Sequence, residues 1–214
     1  MLLVFPYAGQ ATGARRSAMT LPIRSTLALA SLAALLALPL PASADGDDTP
    51  LTNLVALASQ RIALAEPVAR WKWAHHKPIE DKPREAQLLA DVERRAEASG
   101  VDRDYAHAFF SDQIEASKLM QNALFAKWRA TRAPDGTPPD LATTTRPQFD
   151  RLTQSMIGAL ARVAPLRNAP DCQSRLARSV ADWKAMTRYD SSQTPALNAA
   201  LAHVCAGGGV SAVG

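Results

Sequence analysis

The chain has 214 residues, 47% of them hydrophobic, which suffices for one domain with a buried core and is too short for two comfortable ones. Its formal net charge is +4, but the first 44 residues hold three of the 24 basic residues and none of the 20 acidic ones. The remainder is nearly neutral, about +1, with both signs mixed along the chain and no basic stripe of the kind that binds nucleic acid.

Residues 25–39, STLALASLAALLALP, form an apolar run behind Arg24, with Arg15 and Arg16 upstream. Ala42, Ser43 and Ala44 then supply a small-residue cleavage site, so residues 1–44 read as a cleavable signal peptide. A membrane anchor is the alternative, but it needs roughly 20 apolar residues, and this run is shorter and interrupted by Pro39 and Pro41. Met19 is a second candidate start, since the residues before it add nothing that a signal peptide requires. Cleavage would release a periplasmic or secreted domain, residues 45–206, with no membrane attachment.

Within that domain Gly is sparse, and Val, Ile and Thr do not alternate with polar residues, so the pattern is helical throughout. A first helix is expected from about Leu51 to His76, with Leu51, Leu54, Val55, Ala58, Ile62, Ala65 and Val68 at spacings of three and four. Pro67 should kink it, because proline lacks an N–H and its ring clashes with the preceding turn. A second helix starts near Pro83 and ends at Gly100, a favourable C-terminal residue. Asp102 opens a long third helix with Phe110, Ile114, Ser117, Gln121, Leu124 and Trp128 along one face. It ends before the proline-rich loop at Ala133 to Pro139.

Thr143 to Thr145 offer caps for a fourth helix beginning near Pro147, with Phe149, Leu152, Met156 and Leu160 as its core face. Two shorter helices follow, about Asp171 to Met186 and Thr194 to Cys205, and residues 207–214 read as a disordered tail. The expected fold is all-α, a single-domain bundle of about six helices with short loops. In an exported chain the even count of cysteines, Cys172 and Cys205, reads as one disulfide that would remove ~3–4 kcal/mol of unfolded-chain entropy. Two buried free thiols are the alternative. No Cys/His spacing suggests a metal site, since His75 and His76 are adjacent and His107 and His203 are isolated.

Several polar residues fall on apolar faces. Arg61 and Lys72 are eleven residues apart, about three turns plus ~20°, and so share a face ~16 Å apart along a straight axis. Two cations on an apolar stripe, with Ala65 and Val68 between, would outline an anion-binding cleft. Ser117 and Gln121 sit at i, i+4 on the apolar stripe of the third helix, where an unpartnered hydroxyl or amide would cost ~1–3 kcal/mol. Arg84 and Glu85 lie in the first turn of the second helix after Asp81, where free backbone N–H groups can donate to a ligand. Blander readings exist for each: Arg61 and Lys72 could snorkel at the core edge, Glu85 could be an ordinary first-turn acid, and Ser117 could bond Gln121. Trp71, Trp73 and Trp128 read as core.

At these positions the chain resembles the AroQ-type chorismate mutases, and among them the secreted gamma subclass. The resemblance lies in three ordered blocks: R-x10-K from Arg61 to Lys72, P-I-E-D-x-x-R-E from Pro78 to Glu85, and D-Q-I-x-A-S-K-x-x-Q from Asp112 to Gln121. It implies a helical chorismate mutase that turns chorismate into prephenate with no cofactor and no metal, as a homodimer. Arg61 would hold one carboxylate, Arg84 and Ser117 would help orient the carboxylates, and Lys72 and Gln121 would donate to the ether oxygen. Glu85 and the Asp81 N–H would bind the ring hydroxyl. The secreted subclass supplies a further arginine from its own fourth helix, for which Arg146 is the candidate. From a different class, a non-enzymatic helical module binding a small carboxylate or a partner protein would also explain the cations, but not the neutral donor of Gln121 opposite Lys72.

Overall fold

The computed structural model describes residues 47–210, so the expected signal peptide lies outside the described residues. Helices account for most of it: α1 (Thr49–Ala63), α2 (Ala65–Ala74), α3 (Lys82–Ala98), α4 (Arg103–Ala130), α5 (Arg146–Val163), α6 (Cys172–Thr187) and α7 (Thr194–Ala200), with no strand among the described residues. The bundle is all-α. None of these helices is long and apolar enough to cross a membrane.

The helix expected as one kinked rod is two, α1 and α2, joined at Leu64. Pro67 explains the position of the break: it has no N–H for the carbonyl of Ala63, four residues earlier, and its ring collides with that carbonyl. α3 ends as its glycine suggested. Gly100 takes φ +71, its N–H bonds to Glu97 O and the Val101 N–H to Ala96 O, which satisfies the last carbonyls of the helix. Asp102 then caps α4 through the Tyr105 N–H.

α4 is the central element, packed against α2, α3 and α7, while α1 lies on α5 and α6. Tyr105, Phe109, Phe110, Met156, Ile157, Leu160, Leu176 and Leu197 are fully buried in the main core. A smaller cluster between α2 and α4 sets Trp73 edge-on to Phe125 and Trp128, at 5.0 and 5.6 Å between ring centroids. Trp73 and Trp128 are thus core, as read from the sequence.

α7 stops at Ala200, five residues short of the expected end at Cys205. Side chains of α4 take over its terminus: Gln113 Nε2 donates to Ala200 O at 2.6 Å, Asp112 accepts the His203 N–H at 2.8 Å, and the Tyr105 hydroxyl donates to Val204 O at 3.2 Å. Cys205 then bridges to Cys172 at the start of α6. The segment read as a disordered tail opens on a turn instead. Ala206 N–H bonds to Arg167 O, Gln173 Nε2 donates to Gly207 O, and the Gly208 N–H reaches back to Cys205 O.

Candidate active site

A cavity of about 400 Å3 lies between α1, α2, α3, α4 and the start of α5, and all eight residues singled out from the sequence line it: Arg61, Lys72, Asp81, Arg84, Glu85, Ser117, Gln121 and Arg146. Val68, Ile79, Leu88, Ile114 and Leu141 supply apolar wall. The charged lining is five cations, the fifth being Lys118, against four carboxylates, Asp81, Glu85, Asp140 and Asp150.

Arg61 comes from the last turn of α1 and is only 5% exposed. Burial pulls its pKa down to about 10 while Asp150 opposes the shift, so the guanidinium stays charged at neutral pH. Its Nε and Nη1 are buried with no hydrogen-bond partner among the described residues, an arrangement that costs free energy unless an anion meets them. Lys72, on α2, is partly buried. Burial lowers its pKa, Asp81 and Glu85 work against that, and Lys118 adds to the lowering. Its ammonium donates to the carbonyl of Ile79, in the segment between α2 and α3.

Asp81 is the N-cap of α3: its carboxylate accepts the Arg84 N–H at 3.2 Å, and its own N–H donates to Glu85 Oε1 at 3.1 Å. The first turn was expected to present free N–H groups. Instead this reciprocal cap uses two of them, and Pro83 has none to offer. Ser117 and Gln121 face the cavity from α4 and also bond each other, Gln121 Nε2 to Ser117 Oγ at 3.0 Å. Gln121 is 4% exposed and its Oε1 has no partner.

Arg146 opens α5 after a π-helical turn at Leu141–Thr145. The cap is Asp140, which accepts the Ala142 N–H at 2.8 Å, and not Thr143 to Thr145, because the wide turn draws those threonines into the helix itself. That Ala142 N–H is the main reason the Asp140 carboxyl lies below the usual range, with Arg146 a smaller cause.

Lys118 went unassigned from the sequence although it stands inside the third block. Its Nζ lies 3.3 Å from Glu85 Oε2 and 2.6 Å from Glu115 Oε1, and these carboxylates raise its pKa, Glu115 most. The signal was there, since a residue three before Gln121 shares its helix face. Trp71 read as core but lines the cavity and stacks on His75 at 4.4 Å. Phe149 and Asp150 also line it, and an apolar residue at a core-spaced position gives no hint of that. Among the described residues no group of three His, Cys, Asp or Glu is placed to hold a metal ion.

The family described as Chorismate mutase type II matches residues 52–122, a span with seven of the eight residues above. The secreted chorismate mutase of Mycobacterium tuberculosis is 36% identical over 180 residues, 83% of this chain and 88% of that protein. This chain belongs to the chorismate mutase family. A second family member, the secreted chorismate mutase of Mycolicibacterium smegmatis, is 32% identical over 84% of this chain and 99% of its own length. Among solved structures, the chorismate mutase from Burkholderia thailandensis is 73% identical, with 73% of this chain and 99% of that chain covered and a TM-score of 0.71. That from Burkholderia phymatum is 34% identical, covering 74% and 97%, with a TM-score of 0.70. The family match ends before Arg146.

Proposed function

We propose that this chain is an exported enzyme that rearranges chorismate to prephenate in the cavity described above. The observation that carries the reading is the gathering of Arg61, Lys72, Arg84, Gln121 and Arg146 around one space of about 400 Å3. Chorismate is a dianion that reacts by a concerted [3,3] shift: the ether C–O bond breaks as a new C–C bond forms, and no proton or group is transferred. Catalysis must therefore come from holding the folded conformer and stabilising charge as it develops.

Arg61 lines the cavity and would hold one carboxylate with its guanidinium, and Arg84, Arg146 and Ser117 orient the carboxylates from three other elements. Lys72 from α2 and Gln121 from α4 donate to the ether oxygen, which gains negative charge in the transition state. The Gln121 NH2 donates one N–H to Ser117 Oγ at 3.0 Å and keeps its second for the ether oxygen, which leaves the Ser117 proton for a carboxylate. The Asp81 N–H donates to Glu85 Oε1 at 3.1 Å, so a ring hydroxyl bound there would open that bond, donating to the carboxylate and accepting from the N–H. Export is supported by the signal-like residues 1–44 and by relatives named secreted. The homodimer implied by the resemblance belongs to the same reading.

Replacing Gln121 by glutamate separates this reading from a carboxylate-binding module. A carboxylate there would repel the developing charge, so Gln121→Glu should work only when protonated. Its kcat should rise as pH falls towards the glutamate pKa, ordinarily about 4.3, raised by burial and lowered by Lys72. The parent, whose amide does not titrate, should show no such rise. A variant with the parent's activity and pH profile would remove Gln121 from the reacting oxygen and sink this placement.

A further inference from the structure

What holds the Arg61 side chain in place is two aromatic faces. Its guanidinium carbon stands 4.7 Å from the centroid of Phe149 and 5.9 Å from that of Phe110, both within the reach of a cation–π contact. Nε and Nη1 have no hydrogen-bond partner. Asp150 acts on Arg61 only by its charge. An arene differs from a carboxylate in how it holds a guanidinium: it attracts the face and leaves the in-plane N–H groups unused. A carboxylate would occupy the edge that a bound anion needs.

Phe110 is fully buried and packs edge-on against Phe109 at 5.4 Å, so it belongs to the core of α4. Phe149 is different. It is half-buried, stands in the first turn of α5 three residues after Arg146, and lines the cavity. Placed there, its ring ties Arg61 of α1 to the helix that carries Arg146.

We propose that Phe149 is a positioning residue for Arg61: its ring holds the guanidinium at the cavity wall, where it meets a substrate carboxylate. This rests on the reading of Arg61 as a carboxylate ligand given above. The carboxylate is present before and during the rearrangement, so the contact supports ground state and transition state alike. Its loss should appear in KM with kcat little changed.

The test replaces the electron density of the ring while keeping its size. Phenylalanine at 149 is exchanged, in the full mature protein, for analogues with one, two, three and five ring fluorines, which progressively remove the negative ring face. KM for chorismate should climb step by step, to about ten-fold at five fluorines, with kcat held within about two-fold. Phe149→Leu should match the far end of the series, and Phe149→Trp should keep the parent KM. A KM that is flat across the fluorinated series overturns the proposal, and so does a Phe149→Trp protein as impaired as Phe149→Leu. If the parent itself leaves chorismate unchanged, the proposed function fails and not this contact, which can still be read from malonate binding across the same series.

Discussion

At the scale of single residues, the site depends on cations kept charged in partly dry surroundings. Burial disfavours the ammonium of Lys72, and Asp81 and Glu85 restore part of what burial removes. Both Lys72 and Arg61 therefore lose their protons earlier on the alkaline side than exposed groups do, Arg61 at about 10. If the charged forms bind and donate as proposed, kcat/KM, which reports the free enzyme, should fall as pH rises, with a limb that begins below the ordinary lysine value of about 10.4. Stopped-flow rates from pH 7 to 11 would show it, and a level profile would mean that neither cation meets substrate. Lys72→Ala should lower kcat by at least ~100-fold, the usual scale for removing one donor from a developing oxyanion. A loss of only a few-fold would take Lys72 off the ether oxygen.

At the scale of elements, the sequence made plain whatever local chemistry decides. Gly100 stopped α3 because a positive φ suits glycine, Asp102 started α4 because its carboxylate accepts an N–H, and Pro67 placed a break within a few residues of Leu64. What long-range contacts decide was hidden. The end of α7 at Ala200 is set by Gln113, Asp112 and Tyr105, all about 90 or more positions away apart from Gln113 at 87. The same holds for the site. Charged residues on apolar stripes stood out, and they do line one cavity, but Phe149 carries no such mark. The glycines after Cys205 look like a tail by composition, yet a Cβ at Gly209 would lie 2.2 Å from Leu201 O and 2.6 Å from Ala202 Cα. Gly209→Ala should therefore lower the melting temperature by several degrees, on the scale of ~1–3 kcal/mol for overpacking. An unchanged melting curve by circular dichroism would show that the segment packs on nothing.

At the scale of the whole molecule, the folded domain takes hold close to the expected cleavage site. Arg175 of α6 donates from Nε to Asp48 Oδ1 at 2.6 Å and from Nη2 to Asp47 O at 3.0 Å, so the chain is anchored three residues beyond Ala44. N-terminal sequencing of exported protein should read Asp45 first. A start upstream of Ser25 would contradict the signal-peptide reading. The disulfide closes the other end, joining α6 to the segment after α7, and neither cysteine lines the cavity.

The central claim is that this cavity rearranges chorismate without help from metal, cofactor or second substrate. It is tested most directly by adding the purified domain to chorismate in buffer with a chelator and following the ultraviolet absorbance of chorismate while proton NMR identifies the product. Chorismate should disappear and prephenate accumulate one for one, at a rate proportional to enzyme. Chorismate that persists unchanged, even while it binds and protects the protein against thermal unfolding, would contradict it.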